Sequence, residues 1–359
     1  MIQKKKEILY TIGSSPRWGA PKLAMVLASK KNHTVWAIVG CLLVGGAAGF
    51  AAGHYLKSAP VSNTQSIREN TDQYKFIHPL LAVSRTDMST PSPQYTKLAG
   101  SVNAFIAKQK ASAAVSSASV YFVNYGKSGS FAINQNEAYD PASMLKVVIM
   151  VAYLKESDTD PAILDGYLTF TPNIEKSLES VPFQDPSALA VGQMYSVESL
   201  IERMIIDSDN GAMNILLANI DDAYLSQVYV NLGLEGPEAN SEYKISANDY
   251  SLFFRVLYNG TYLSNANSEK ALSILSKSTF ADGLVAGLPS EAIAAHKFGE
   301  HVNGTGDHIT SVELHDCGII YTNGGPYLLC VMTKGASLDS LKQTISGISK
   351  LVYQAASAS

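Results

Sequence analysis

Pro141-Ala142-Ser143-Met144-Leu145-Lys146, followed directly by the apolar run Val147 to Leu154, is the stretch from which the chain reads outward. Neither Gly nor Pro interrupts residues 142 to 154, so the pattern predicts a buried helix with Ser143 at its first turn. Lys146 stands three residues on, and positions i and i+3 share one helix face. An amine thus comes within reach of a hydroxyl, at a helix start whose partial positive charge favours an anion. An acylating serine needs that pairing of nucleophile and base. A Ser-x-x-Lys tetrapeptide arises by chance about once or twice in a chain of this length, so its meaning depends on its company.

Upstream, Leu98, Val102, Phe105 and Ile106 recur on one helical face and predict an amphipathic helix from Tyr95 to Ala111. Ser119 to Tyr125, the turn Gly126-Lys127-Ser128-Gly129, and Ser130 to Asn134 read as a hairpin. The loop Asn136 to Ala142 then delivers the chain to Ser143.

Downstream, Ser196, with Ser199 three residues on, reads as the N-cap of a helix through Ile206. Ser208-Asp209-Asn210 sits at the junction before the next helix, Ala212 to Ala218. Short polar side chains there either cap the helix or point into a cleft. Lys270 to Ser278 reads as helix, and Ala292 to Phe298 as a strand carrying His296-Lys297-Phe298-Gly299. A long polar loop, Glu300 to Ser311, is expected next. Val312 to Tyr321, the Asn323-Gly324 turn and Tyr327 to Thr333 form a second hairpin, and a helix from Leu338 to Ala355 closes the chain. Strands at both ends with a mostly helical insertion predict an α+β fold on a largely antiparallel sheet. Cys317 and Cys330 face each other across the second hairpin. Two buried thiols are the favoured reading, and a disulfide is the alternative in an oxidising compartment.

Ser143-Met144-Leu145-Lys146, Ser208-Asp209-Asn210 and Lys297-Phe298-Gly299, in that order, resemble the motifs of the penicillin-recognising serine hydrolases, class A β-lactamases and their membrane-anchored relatives above all. The resemblance runs from about Tyr74 to the C-terminus and takes in Ser278 to Leu284 and Ala286 to Pro289. It implies an antiparallel sheet flanked by helices, with an all-α subdomain at about 157–265 and the serine in the cleft between. It implies Ser143 as nucleophile, Lys146 as base or relay, Ser208 as the hydroxyl passing a proton to the leaving nitrogen, and Asn210 as a substrate contact. Lys297 would balance charge in the cleft, and the backbone N–H groups of Ser143 and Glu300 would form the oxyanion hole, a role that needs only main chain.

The third motif departs from the family: Phe298 stands where a hydroxyl residue is usual, and Gly299 is kept. The Glu of class A enzymes that activates a deacylating water, with Asn four residues on, has no match between Asn231 and Ile245. Glu238 is the one candidate for such a base. Without a positioned base an acyl-enzyme forms and breaks down slowly. The implied partner is a β-lactam or a peptidoglycan stem peptide. A D,D-peptidase or transpeptidase, or a non-catalytic peptidoglycan-binding module, is the alternative function.

The composition is globular, 46% hydrophobic and 16% charged over 359 residues. A net charge of -4 gives no electrostatic reason to expect nucleic acid. No cofactor is called for. His296, His301, His308 and His315 lie close in sequence beside Glu300, Asp307 and Asp316, but lack the tight pair spacing of a zinc hydrolase, so no metal is expected. Val35 to Gly53 is 19 residues without a charge, about the span of a bilayer. Lys4, Lys5, Lys6, Arg17, Lys22, Lys30 and Lys31 precede it. This predicts a cytoplasmic segment at 1–34, a single transmembrane helix at 35–56, a polar linker at 57–73 and an extracytoplasmic domain at 74–359. A cleaved signal peptide is the competing reading, against which a 34-residue leader is long.

Overall fold

A five-stranded antiparallel sheet carries the architecture, its strands lying in the order Ser130–Ile133, Ser117–Asn124, Tyr327–Gly335, Ser311–Tyr321 and Ile293–Asn303. The computed structural model describes residues 67–68, 73–82, 92–174, 189–238, 242–304 and 309–357. The expected membrane segment at 35–56 and His308 with Asp307 lie outside these residues. Among the described residues no helix is long and apolar enough to cross a membrane.

Short strands β1 (Ile67–Arg68) and β2 (Leu80–Ala82) pair with each other within and just after the stretch read as linker. Helix α1 (Thr96–Ala111) follows, then β3 (Ser117–Asn124), β4 (Ser130–Ile133) and β5 (Ala138–Tyr139). A 3-10 turn, Ala142–Leu145, leads into α2 (Lys146–Ser157). The insertion holds β6 (Tyr167–Thr169), β7 (Met194–Ser196), α3 (Val197–Ile206), α4 (Asn210–Leu217), α5 (Asp222–Leu232), β8 (Ile245–Ser246), α6 (Ala247–Tyr258) and α7 (Asn265–Leu275). Because β6 pairs with β7 and β5 with β8, this region is not wholly helical. Strands β9 (Ile293–Asn303), β10 (Ser311–Tyr321) and β11 (Tyr327–Gly335) complete the sheet, and α8 (Leu338–Ser357) closes the chain.

The sheet is buried on both faces, and strand alternation sorts its side chains between two cores. Val120, Phe122, Leu329 and Val331 join α1 and α8 on one side. Tyr121, Val123, Leu328, Cys330 and Met332 join α2 and the insertion helices on the other. Helix α2 is central to the second core: residues 146 to 154 are all buried, which explains why its sequence is apolar all round.

Two expectations are corrected here. The polar stretch from Glu300 is not loop: β9 runs on to Asn303, which pairs with Ser311. Strand β9 is the sheet edge and residues 300–303 are half-buried, so polar residues are compatible with strand there. Cys317 and Cys330 are not free thiols. They are register partners on β10 and β11, both fully buried, and their sulfurs are bonded.

Near the start of the described chain, the Glu269 carboxylate accepts backbone N–H groups of Lys75 (2.8 Å), Phe76 (2.9 Å) and Ile77 (3.0 Å). Tyr321 Oη donates to the Phe76 carbonyl at 2.8 Å. This apolar stretch is thereby fastened onto α7 and β10.

Candidate active site

The turn bearing Ser143 is tight. Ala142 has φ 46°, in the left-handed region that a residue with a Cβ seldom adopts. Met144 N–H donates to the Pro141 carbonyl at 2.9 Å, and Tyr250 Oη donates to the Met144 carbonyl at 2.9 Å. Edge strand β9 presses against the same turn. A Cβ on Gly299 would stand 2.5 Å from the Pro141 carbonyl oxygen and 2.9 Å from Met144 Cγ, so only glycine lets the strand approach. Glu300 follows on that edge beside the turn, where its main chain was expected to help form the oxyanion hole.

Ser208 reaches the site by a second left-handed residue conformation, φ 57°, between α3 and α4. Asp209 then caps α4, accepting from Ala212 N–H at 3.1 Å, and lies 3.4 Å from Arg203 Nε. Both readings of the tripeptide thus hold at once: Asp209 caps the helix, while Ser208 and Asn210 point inward.

Lys146 Nζ lies 3.2 Å from Ser143 Oγ, 3.0 Å from Ser208 Oγ and 2.7 Å from Asn210 Oδ1, and it also contacts the Ser208 carbonyl oxygen. Lys297 Nζ donates to Ser208 Oγ at 2.9 Å. Both lysines are buried, at 1% and 0% exposure. Burial pushes Lys146 down to about 7, against the opposing pull of Asp209. Burial first, and then the charge of Lys146, push Lys297 well below the usual lysine range. Two ammonium groups sharing one hydroxyl in a dry site repel each other, and the pair sheds a proton. The Ser208 carbonyl and Asn210 Oδ1 can only accept. A neutral Lys146 therefore spends its two N–H groups on them and keeps its lone pair for a hydroxyl.

Around this centre lies a cleft of 1810 Å³, lined among others by Ser143, Ser208, Asn210, Phe298 and Glu300. Phe298 stacks on Phe280 with centroids 3.8 Å apart, and Lys297 Nζ lies 4.1 Å over the Phe298 ring. An apolar wall stands where the family motif places a hydroxyl. Burial raises the Glu300 carboxyl, and Lys342 pulls the other way. Lys342 itself pairs with Asp282 at 2.9 Å. Glu238 lines the cleft from an exposed position after α5.

Among the described histidines of that group His296 stands apart, while His301 (Nδ1 3.4 Å from Asp140 Oδ2) and His315 both meet Asp140. His296 Nδ1 lies 2.8 Å from Asp316 Oδ1, while Leu284 N–H donates to Asp316 Oδ2 at 2.9 Å. The chain turns there at Gly283, φ 58°, where a Cβ would sit 2.6 Å from Asp316 Oδ2. His315 instead meets the Asp140 carbonyl. Among the described residues no three His, Cys, Asp or Glu side chains converge to hold a metal ion.

Asp140, Glu313 and Tyr250, which help hold the serine turn, carry no motif in the sequence, and His315 stands out there only as one of the clustered histidines. One signal was present. Asp-Pro dipeptides favour turns, and Asp140 precedes Pro141.

Residues 97–356 match the profile of the Beta-lactamase enzyme family. Among solved structures, PBP-A is 24% identical over 74% of this chain and 98% of its own, with a TM-score of 0.62. A β-lactamase from Chitinophaga pinensis DSM 2588 is 22% identical over 73% of this chain and 100% of its own, with a TM-score of 0.61. One from Sphaerobacter thermophilus DSM 20745 is 21% identical over 73% and 97%, with a TM-score of 0.61. At these identities the likeness establishes the shared fold. No curated protein sequence matches the chain. The chain belongs to the Beta-lactamase enzyme family and is a serine hydrolase.

Proposed function

We propose that this serine hydrolase opens a β-lactam or related amide through an acyl intermediate on Ser143. One observation carries the reading: Lys146 Nζ bridges Ser143 Oγ (3.2 Å) and Ser208 Oγ (3.0 Å) in a site that burial holds near neutrality. In this scheme neutral Lys146 takes the Ser143 proton as Oγ bonds to the substrate carbonyl carbon. The oxyanion is met by the N–H groups of Ser143 and Glu300. The carbon–nitrogen bond then breaks, and the proton passes from Lys146 through Ser208 to the leaving nitrogen, with Lys297 steadying the Ser208 oxygen. Asn210 orients Lys146 and stands ready for a substrate amide. Water finally cleaves the ester and restores Ser143. A mutant of the structurally similar PBP-A has been captured as an acyl-enzyme with penicillin G, which supports the same class of ligand here.

A second reading, a D,D-peptidase or transpeptidase on peptidoglycan stems, is favoured by what flanks the serine. The loop after α5 offers no Glu with Asn four residues on, and Phe298 brings no hydroxyl to a substrate carboxylate. The missing base suits acylation with slow release. The charge pattern around Val35 to Gly53 supports placing the domain outside a membrane that the N-terminal segment spans.

The test is a time course with a chromogenic β-lactam, beside labelling by a fluorescent penicillin. A burst equal to the enzyme concentration followed by arrest marks slow deacylation, and steady turnover marks a β-lactamase. Labelling is lost in Ser143→Ala. Labelling that survives this change overturns the assignment.

A further inference from the structure

Behind the serine turn lies a second cluster of buried ionisable groups that the acylation scheme leaves unused. Glu313 on β10 is 3% exposed and His315, two residues on, is fully buried. They share one face of the strand, and that face meets the segment leading into Ser143. Glu313 Oε2 accepts the Asp140 backbone N–H at 3.0 Å. Its other oxygen accepts from Lys334 Nζ (3.0 Å) and Asn303 Nδ2 (3.2 Å).

Chemistry fixes the tautomer of His315. Thr333 N–H lies 3.2 Å from Nδ1 and can only donate, so Nδ1 presents its lone pair. The ring proton is on Nε2, which donates to the Asp140 carbonyl at 2.9 Å. Tyr139 packs edge-on against the ring, centroids 5.2 Å apart. Both main-chain groups of Asp140 are therefore held from the sheet. Asp140 passes the constraint forward, because its Oδ1 accepts the Ala142 N–H at 2.8 Å. Ala142 is the residue in the left-handed conformation, immediately before Ser143. A disfavoured conformation persists only where its surroundings over-determine it, and this is the set of contacts that does so.

We propose that Glu313, together with His315, is a positioning residue for the nucleophile: acting through Asp140, it holds the strained turn that aims Ser143 Oγ at Lys146. The inference rests on Ser143 being the acylated residue. Burial alone would raise the Glu313 carboxyl, but its neighbours His315 (Nε2 3.5 Å from Oε2), Lys334 and Asn303 outweigh it and bring it down to about 2. The clamp is thus charged throughout the working range.

The experiment separates the two constants of covalent labelling by a fluorescent penicillin, the binding constant K and the acylation rate k2, in the full chain. In Glu313→Gln the charge is lost and one oxygen must serve two sets of donors: whichever way the amide turns, its NH2 faces either the Asp140 N–H or Lys334 and Asn303. We expect k2 to fall by about 10- to 100-fold, as small misplacements of reacting groups do, with K within about threefold of wild type. Glu269→Gln is the matched control, a carboxylate that also holds backbone N–H groups but in the Lys75–Ile77 stretch. It should lower Tm and leave k2 unchanged. Where Glu313→Gln fails to fold, Asp140→Ala decides: that side chain is one-third exposed, and its loss frees the Ala142 N–H and removes the 3.4 Å contact with His301 Nδ1 while the main-chain grip of Glu313 and His315 on Asp140 stays. A folded Glu313→Gln or Asp140→Ala with wild-type k2 overturns the proposal, as does an equal fall in k2 for Glu269→Gln. Labelling that persists in Ser143→Ala instead removes the nucleophile assignment, so the two failures are distinguishable.

Discussion

The two faces of the sheet solve different problems. On the face covered by α1 and α8, Leu341, Ile345, Ile348 and Val352 pack fully buried against Leu329, Val331 and Leu314. Two hydroxyls there are paired with carbonyls: Thr344 Oγ1 donates to the Ser340 carbonyl at 2.8 Å and Ser349 Oγ to the Leu284 carbonyl at 2.7 Å. On the cleft face, two lysines are buried within reach of one serine hydroxyl, and two non-glycine residues, Ala142 and Ser208, take left-handed φ. Burying an unpaired ammonium is costly. The apolar face thus supplies stability, and the cleft face spends some of it to lower an amine's proton affinity.

Four changes test that division. Lys146→Met breaks the cleft chemistry: removing a general base lowers acylation by about 10²–10⁴-fold, measured as k2 for penicillin labelling. The same change should raise Tm at pH 6, because it relieves a buried ammonium. A lower Tm there would refute the claimed trade. Ile348→Ala tests the opposite face and should cost about 2–5 kcal/mol in urea unfolding, with k2 per folded molecule unaltered.

Next comes pH. Lys146 falls to about 7 in the fold, against about 10.4 in an unfolded chain. Between these values the unfolded state binds more protons, so the Lys146 contribution makes stability rise with pH across that window. The acylation rate should rise through the lower end of the same window as Lys146 loses its proton. A flat k2 from pH 6 to 8 would separate Lys146 from the rate-limiting proton transfer. The smallest effect is expected at the cap of α3. Ser196 Oγ accepts the Ser199 N–H at 3.2 Å, and Ser196→Ala should cost about 1 kcal/mol in the same unfolding assay, without changing K or k2.

Much of the fold was legible because most elements carry their own signals. Helix α1 ends at Ala111, where its apolar stripe fades. Ser196 caps α3 as its spacing with Ser199 implied. The hairpins fall where the turn residues mark them. Helix α7 begins at Asn265, ahead of the expected Lys270, because Ser264 caps it by accepting from Asn267 N–H at 3.2 Å. The far half of β9 was hidden, since its pairing partner and not its composition makes it strand. At the site, the three motifs marked Ser143, Lys146, Ser208, Asn210 and Lys297 as companions. They did not mark Glu313 and His315, whose role depends on a contact across 173 residues between Asp140 and Glu313.

By itself the sequence determined the order of elements, the buried helix that follows Ser143, and which residues have the chemistry to acylate and relay. Those properties are set by local propensity, periodicity and side-chain type, which a linear chain displays. Tertiary structure alone decided that Lys297 reaches Ser208, 89 residues away, and that Cys317 meets Cys330 in register. It also decided that a Cβ at position 299 has no room, and that Lys146 sits in a site dry enough to lose its proton. Proton affinity and close approach depend on distance through space and on excluded water, and neither is a function of position along the chain.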